Sequence, residues 1–244
     1  MAKIKIKDLK VAYKNKNSGD TTVLNDFNLD IEEGTFNVIL GFSGCGKTTL
    51  LRVLAGFLDY EGEIYFNDIN VNNLTTQERN ISYVSQQYIL YPHLTIFDNI
   101  ASPLKIAKAP RKEIIERVHE IASFLDIEQC LSRKPRHLSG GQQQKVAVAR
   151  ALIKKSQLYL FDEPLSNFDT IKRNETRLMI KRIIKEHNLT SIYVTHDFDE
   201  AISLADNIII INDGKVEIAG TPEEILKSNN IIVNQLRWNK EKYE

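Results

Sequence analysis

The segment FNVILGFSGCGKTT, residues 36–49, joins a short apolar run to a glycine-rich loop. Residues 36–40 predict a buried strand, and the residues from Thr48 to Gly56 have the apolar spacing of a helix. The loop between them matches the pattern G-x-x-x-x-G-K-[ST]. Such a loop turns its backbone N–H groups toward phosphate oxygens at the positive end of the following helix. The segment therefore predicts a phosphate-binding site in an α/β fold.

Each side chain of this loop has a predicted part in holding a nucleotide triphosphate. Lys47 supplies a positive charge for the β- and γ-phosphates, and the hydroxyl of Thr48 can hold Mg²⁺. Cys45 is better explained as a small filler than as a nucleophile, because nothing in the sequence suggests a resolving partner. The alternative for the whole loop is a glycine-rich turn without function, but a chance match is expected in roughly one chain in a hundred. The residues expected to bind ATP are Gly41, Phe42, Ser43, Gly44, Cys45, Gly46, Lys47, Thr48 and Thr49.

A second apolar strand, in the segment LYLFDEP at residues 158–164, ends in two acids. Asp162 is expected at the carboxyl end of that strand, where α/β sheets bind ligands, and it can hold a metal through water. Glu163 is then placed to polarise an attacking water as general base. Two acids after a strand are by themselves more often a surface turn. The preceding phosphate loop makes a metal-and-base pair the better interpretation.

The segment LSGGQQQ, residues 138–144, predicts a second anion-binding helix end. Its two glycines precede an apolar-periodic run, so the helix begins with exposed N–H groups and the hydroxyl of Ser139. At about 7% per position, the five residues LSGGQ should occur by chance in well under one chain in a thousand. This segment is therefore the most specific signal in the sequence.

The rest of the chain predicts one domain with an insertion. Alternating apolar residues up to residue 31 predict antiparallel strands, and later strands alternate with helices, as in a mainly parallel sheet. Residues 88–139 have a helical character, with one helix beginning near Pro110. We therefore predict a single domain over residues 1–244. Its core and β-subdomain take residues 1–87 and 140–244, and a helical subdomain takes residues 88–139.

Composition excludes several classes of protein. Lysine plus arginine and aspartate plus glutamate each total 32, which gives no indication of a nucleic-acid-binding surface. The two cysteines are far apart, so neither a zinc site nor a disulfide framework is indicated. The N-terminus alternates like a strand and not like a signal peptide. No apolar run is long enough to span a bilayer, so any membrane role is expected to come through a partner.

Together these motifs resemble those of an ABC-transporter ATP-binding subunit, and the resemblance covers nearly the whole chain. Walker A corresponds to Gly41–Thr49, the signature to Leu138–Gln142, and Walker B to Leu158–Asp162 followed by Glu163. The resemblance implies a P-loop NTPase core of mainly parallel sheet flanked by helices. It also implies an N-terminal antiparallel β-subdomain and an inserted α-helical subdomain.

Two weaker motifs gain meaning from their place in the family order. Gln86 matches the Q-loop glutamine, which senses the γ-phosphate, and His196 matches the switch histidine, which contacts it. Alone, each would more often be an ordinary polar residue at a strand end. The catalytic residues implied by the resemblance are Glu163, His196, Gln86 and Lys47. The implied ligands of Mg²⁺ are Thr48, Gln86 and Asp162.

Two further matches are less complete. Residues 166–169 match the D-loop and end in Asp169, but Phe168 stands where relatives usually carry leucine. We expect altered packing there without loss of activity. Tyr13 occupies the place of the aromatic residue that stacks on adenine, although Val23 or another residue could lie against the base instead.

The resemblance also implies partners. Two ATP-binding subunits pair head to tail, as a homodimer or with a similar subunit, and the signature of one closes on the ATP of the other. The implied contacts to the partner's ATP come from Ser139, Gly140, Gly141 and Gln142.

Residues 86–100, QQYILYPHLTIFDNI, resemble the coupling groove of importer ATPases of the maltose/carbohydrate, polyamine and ferric-iron groups. Tyr88, Tyr91 and Phe97 suit a groove that receives a helix of the membrane subunit, and core packing is an equal alternative for each. The implied partners are two transmembrane permease subunits and an extracellular solute-binding protein, at the cytoplasmic face of the membrane. A soluble ABC ATPase of translation or DNA repair and an exporter subunit are the alternatives. The chain ends soon after Trp238, so we expect no regulation through the further C-terminal β-domain of many relatives.

Overall fold

The structure is a computed structural model that describes residues 1–13, 19–86, 88–165 and 170–238, without the side chains of residues 170–172. Strands and helices alternate along most of the chain. The strands are β1 (Ile4–Tyr13), β2 (Thr21–Ile31), β3 (Phe36–Leu40), β4 (Glu61–Phe66), β5 (Ile69–Asn70), β6 (Ile81–Val84), β7 (Leu158–Asp162), β8 (Ser191–Thr195), β9 (Asn207–Asn212) and β10 (Lys215–Gly220). The helices are α1 (Lys47–Leu54), α2 (Ile96–Ile106), α3 (Arg111–Phe124), α4 (Gly140–Leu152), α5 (Thr170–Glu186), α6 (Phe198–Leu204), α7 (Pro222–Lys227) and α8 (Ile231–Trp238).

The described residues form two compact units. The first unit consists of Met1–Ile81, Gln157–Glu163 and the described part of Ile180–Glu244, and the second of Ser82–Ser156 and the described part of Pro164–Met179. The second unit contains the predicted helical insertion and also α4, although we expected the core to resume at residue 140. The reason is that α4 packs against α2 and α3, so its apolar face is buried within the helical unit.

A largely parallel sheet forms the centre of the first unit. Five of its strands run in the order β10-β9-β3-β8-β7, with β3 parallel to β8 and β9, and β7 parallel to β8. Every residue of β3, β7 and β8 is buried, as expected of strands covered on both faces. The register pairs Leu40 with Thr195 and Asp162 with Val194. The segments that follow these three strands therefore leave the sheet at the same edge.

An antiparallel sheet in the order β2-β1-β4-β5 completes the strands of the first unit. The apolar side chains that alternate along β1 are buried, and the polar residues between them are exposed. Strands β9 and β10 form a hairpin that turns at Asp213 and Gly214, with φ of 46° and 72°. Positive φ at both positions matches the twist of a two-residue hairpin. The predicted fold class, including the antiparallel β-subdomain and the helical unit, is confirmed.

Not every apolar residue of the helices is buried. Helix α3 buries Ile114, Val118 and Ala122, but Ile115 is 42% exposed. Each helical residue turns about 100° from the last, so Ile115 lies at the edge of the apolar stripe. Leu178 on α5 is 62% exposed, because it lies on the opposite side of the helix from the buried Ile180, Ile183 and Ile184. Among the helices that the structure describes, none combines the length and apolarity needed to cross a bilayer.

Candidate functional site

The phosphate loop follows β3 and leads directly into α1, as predicted. Gly46 caps α1 with φ of 106°, in the left-handed region that favours glycine, and a Cβ there would lie 2.7 Å from Leu24. At Gly41, a Cβ would lie 2.5 Å from the backbone oxygen of Ile211 and 2.7 Å from the sulfur of Cys45. Both glycines are therefore needed for the loop to pack closely. A loop curled in this way can point its backbone N–H groups toward an anion.

Lys47 is the first residue of α1, and it is only 6% exposed. Its ammonium group donates hydrogen bonds to the backbone oxygens of Gly41 and Phe42, at 2.8 and 2.9 Å. An ammonium group has three N–H donors, so these two bonds fix its position and leave a third direction for a phosphate oxygen. Lys47 thus brings a buried positive charge to the start of α1, where the helix dipole already favours an anion.

Thr48 and Asp162 meet at the carboxyl end of the sheet. The hydroxyl of Thr48 donates a hydrogen bond to Oδ1 of Asp162 at 2.9 Å, and Asp162 is 6% exposed. These two residues come from α1 and β7, which are far apart in sequence. Hydroxyl and carboxylate oxygens are the hard donors that Mg²⁺ prefers beside a nucleotide phosphate. The donor set of this pair fits that ion.

Glu163 and His196 form a second pair at the same edge of the sheet. The backbone N–H of Glu163 donates to the oxygen of Val194 at 3.1 Å, which continues the pairing of β7 with β8 beyond the strand. His196 follows β8, and its Nδ1 lies 3.3 Å from Oε2 of Glu163. Glu163 also adopts φ of 45°, a conformation that is uncommon outside glycine and often found at functional sites.

The electrostatics of this pair are reciprocal. The hydrogen bond to His196 lowers the pKa of Glu163, and partial burial opposes that shift. The hydrogen bond to Glu163 raises the pKa of His196, again against burial. Charge on Lys47 lowers both pKa values. Glu163 is therefore ionised at neutral pH, as a residue that orients an attacking water must be.

Both candidates for contact with the adenine base lie beside the phosphate loop. Tyr13 is 40% exposed, and its hydroxyl lies 3.2 Å from the hydroxyl oxygen of Thr49. The Cγ1 of Val23 would lie 3.4 Å from a Cβ at Gly46. Burial raises the pKa of the Cys45 thiol, which suits the predicted filler better than a nucleophile.

The signature forms the start of α4 in the second unit. Ser139 caps this helix and is exposed, and its hydroxyl accepts a hydrogen bond from the N–H of Gln142 at 3.4 Å. The side-chain oxygen of Gln142 accepts one from the N–H of Ser139 at 3.1 Å, which completes a capping box. Gly140 is exposed and Gly141 is half-buried. Gln142 thus holds the cap in place, in addition to its expected contact with a nucleotide.

The remaining predicted residues lie in the second unit or outside the described residues. Gln86 is exposed just after β6, and Asp169 lies outside the described residues with the rest of residues 166–169, so the D-loop stays a prediction. Among the aromatic residues, Tyr91 is 43% exposed, while Phe97 is half-buried beside His119.

One buried contact in the second unit was missed. Tyr88 and the fully buried Gln144 both donate hydrogen bonds to the backbone oxygen of Pro164, which follows Glu163 in the chain. Neither residue is distinguished by its type, and the contact joins segments that are distant in sequence. The only signal in the sequence for Gln144 is its position, two residues after the end of the LSGGQ pattern.

Comparison with known proteins gives a consistent result. A family model described as "ABC transporter" matches residues 24–166. The sn-glycerol-3-phosphate import ATP-binding protein UgpC of Chromobacterium violaceum is 45% identical over 92% of this chain and 60% of its own length. The trehalose/maltose import ATP-binding protein MalK of Thermococcus litoralis is 44% identical over 85% of this chain and 58% of its own length. The chain thus spans about 60% of the curated relatives that it matches.

Solved structures with the same fold include the ATP-binding cassette MJ0796. A dimeric, post-hydrolysis state of that cassette, bound to ADP and Pi, has a TM-score of 0.80 and 33% identity to this chain. It covers 90% of this chain and 98% of its own. A second dimeric structure, described as a bacterial ABC transporter cassette, matches equally well.

Proposed function

This chain belongs to the ABC transporter family, and we propose that it is the ATP-hydrolysing subunit of a membrane importer. The observation that carries the proposal is the convergence of four groups at one sheet edge of the first unit. The buried ammonium of Lys47, the Thr48–Asp162 pair, and the contact between Glu163 and His196 all lie there. A cation, a pair of hard oxygen donors, an ionised carboxylate and an imidazole are the parts that phosphoryl transfer to water needs.

The proposed roles follow from these positions. Backbone N–H groups of residues 41–49 and the Lys47 ammonium hold the β- and γ-phosphates of ATP. Glu163 orients and polarises the attacking water, and His196 contacts the γ-phosphate. Thr48 and Asp162 would hold Mg²⁺, which would neutralise charge on the phosphate oxygens. The part of Gln86 as a further ligand stays a prediction.

We propose that hydrolysis needs two subunits. Ser139 and the Gly140–Gly141 amides are predicted to contact the γ-phosphate held by another chain, and Ser139 is exposed at the start of α4. An exposed helix start with a serine hydroxyl is suited to an anion that arrives from outside the chain. The related cassette MJ0796 is described as dimeric in a post-hydrolysis state bound to ADP and Pi, which supports a pair of subunits. The pair is either a homodimer or a dimer with a similar subunit.

Import through partner permeases is the part of the proposal that the named relatives support. Proteins called import ATP-binding proteins are 44–45% identical to this chain. The exposed side chains of Ile89 and Tyr91, 66% and 43% accessible, offer apolar contact area to a membrane subunit. We therefore propose two transmembrane permeases and an extracellular solute-binding protein as partners. The subunit would lie at the cytoplasmic face of the membrane.

Substitution of Glu163 by glutamine tests the hydrolytic centre. Glu163→Gln keeps the size of the side chain but removes its charge, so we expect ATP binding with hydrolysis slowed roughly 100-fold or more. The variant should accumulate as an ATP-bound dimer, detected by size-exclusion chromatography with Mg²⁺ and ATP. Glu61→Gln, which changes an exposed carboxylate on β4, is the control. Near-normal turnover of the Glu163→Gln variant would contradict the assigned base.

A further inference from the structure

A buried carboxylate in the first unit contacts the residue that precedes His196. Glu200, on α6, is only 5% exposed. Its Oε1 accepts a hydrogen bond from the hydroxyl of Tyr193 at 2.7 Å, and its Oε2 accepts one from the hydroxyl of Thr195. Tyr193 and Thr195 are two positions apart on β8, so their side chains point to the same face of the sheet. One carboxylate thus connects α6 to the last residues of β8.

The same contacts continue around His196. The Thr195 hydroxyl oxygen also accepts a hydrogen bond from the N–H of Asp197 at 3.1 Å. The side chain of Asp197 accepts one from the N–H of Glu200 at 2.9 Å, which caps α6. His196 is therefore the single residue between two anchored neighbours. Its own side chain is 60% exposed and touches Glu163.

We infer that Glu200 is a positioning residue for ATP hydrolysis, which holds His196 against Glu163 by anchoring Thr195 and the turn after β8. The inference rests on the proposed function, because His196 acts in it at the γ-phosphate. Glu200 itself does not touch the nucleotide. It acts through the backbone of residues 195–197.

A carboxylate is needed here because it accepts a hydrogen bond at each oxygen. The Thr195 hydroxyl already accepts from Asp197, so it has its own hydrogen to donate to Glu200. A glutamine in place of Glu200 has the same shape but only one oxygen acceptor. Its NH₂ group would face one of the two hydroxyls and force that hydroxyl to accept instead. Glu200→Gln should therefore loosen the network without leaving a cavity.

The kinetic experiment compares Glu200→Gln, Thr195→Val and Thr195→Ser. We expect Glu200→Gln and Thr195→Val to lower the kcat of ATP hydrolysis roughly tenfold, with KM changed by less than about twofold. Thr195→Ser keeps the hydroxyl and should restore kcat to within about twofold of wild type. Equal changes in kcat from serine and valine at this position would overturn the inference.

A second readout does not depend on activity. NMR titration of His196 in the nucleotide-free protein reports its contact with Glu163, which raises the pKa of His196. The other charges acting on the ring are Asp197, which raises the pKa, and Lys47, which lowers it. In Glu200→Gln and Thr195→Val, the titration midpoint should fall toward the ordinary histidine value. A midpoint that both variants leave unchanged would overturn the inference.

The matched control is Asp199→Asn. Asp199 is exposed on the same helix, so this variant removes one negative charge from α6 without changing the Glu200 oxygens. Asp199→Asn should leave both kcat and the His196 midpoint unchanged, and a shift as large as that of Glu200→Gln would show a charge effect and overturn the inference. If the wild-type chain fails to hydrolyse ATP, the proposed function fails, while the His196 titration still decides the role of Glu200. Circular dichroism verifies that each variant is folded.

Discussion

The starts of α1 and α4 are both expected to bind phosphate, yet they are built in opposite ways. Helix α1 begins after Gly46, which has no side chain to act as a cap, and its first residue is the buried Lys47. Helix α4 begins after Ser139, which is exposed and closes a capping box with Gln142. At the start of α1, the Lys47 ammonium supplies the positive charge that binds the phosphate. In α4 the helix start is already capped by its own side chains.

The difference indicates that the starts of α1 and α4 have different roles toward phosphate. A buried ammonium beside backbone N–H groups binds an anion strongly, because the attraction between opposite charges at short distance is stronger where bulk water is excluded. An exposed serine with a satisfied cap adds only weak attraction by itself, and it is suited to sense a phosphate that another subunit brings.

Loss of the Lys47 charge should have the largest effect, because it impairs nucleotide binding as well as hydrolysis. In Lys47→Ala, we expect ATP hydrolysis to fall by roughly 100- to 1,000-fold or more, because the γ-phosphate loses its buried cation. Nucleotide affinity should also fall, since the bonds from Lys47 to Gly41 and Phe42 help to order the loop. Hydrolysis and ATP binding are measured together, with Lys5→Ala, an exposed lysine on β1, as the control. Activity within about twofold of wild type would rule out the assigned role.

Obstruction of the α4 start should abolish hydrolysis without abolishing ATP binding. Ser139→Arg places a long cation where the partner's γ-phosphate is expected, so the variant alone should be inactive while its own phosphate loop still binds ATP. When it is mixed with Lys47→Ala, each mixed dimer keeps one site made from the two unmodified parts. An equal mixture should recover up to about a quarter of wild-type activity, since about half of the dimers are mixed.

This mixing result separates two arrangements of the subunits. Recovery requires that the phosphate loop and the signature of one site come from different chains. A mixture that stays inactive, with mixed dimers shown to form, would contradict the head-to-tail pairing. Ser123→Arg, a substitution near the end of α3, controls for the added charge.

The capping box of α4 should have a moderate effect on stability. Gln142→Ala removes the acceptor for the Ser139 N–H, and we expect it to lower the free energy of unfolding by about 0.5 kcal/mol. Gln142→Glu keeps an acceptor at the same position and should retain that stability. Urea denaturation monitored by circular dichroism distinguishes the two. If alanine and glutamate are equally stable, the cap does not depend on this side chain.

The smallest effect concerns pH. The pKa of Glu163 is lowered from an ordinary 4.5, so its stabilising contact is complete above that pH and is lost as pH falls through the lowered value. The pKa of His196 is raised from 6.5, so its part is complete below that pH and is lost as pH rises through the raised value. The pair therefore stabilises the fold most between these pH values.

Because His196 is largely exposed, screening limits this contribution to at most about 0.5 kcal/mol. Urea denaturation of wild type and Glu163→Gln at pH 5.5 and pH 8 measures it. The difference in stability between the two proteins should be larger at pH 5.5. A difference that grows toward pH 8 would contradict the assigned ion pair.

The parts of the fold that the sequence predicted were those that depend on residues adjacent in the chain. Phe36–Leu40 and the loop after it carry strand, phosphate loop and helix start in one continuous segment, and the structure has all three there. The hairpin turn at Asp213 and Gly214 was equally local. Periodicity gives the direction of a helix face but not its width, so it does not distinguish the exposed Ile115 from the buried Ile114 beside it.

The site depended on more than local pattern. Glu200 was missed because a single carboxylate in the short helix α6 has the pattern of any polar surface residue, while its burial depends on Tyr193 and Thr195. Gln142 was expected to contact nucleotide, and its capping bond to Ser139 became visible only in the structure.

The amino-acid sequence by itself determined the family and the chemical groups of the site, because each motif is a short run whose side chains and backbone act together. The tertiary structure decided which of those groups touch. The pairing of Thr48 with Asp162, and of Glu163 with His196, follows from the parallel alignment of β3, β7 and β8. Parallel alignment requires crossover connections between the strands, such as α5 between β7 and β8, and it brings the carboxyl ends of the three strands to one edge.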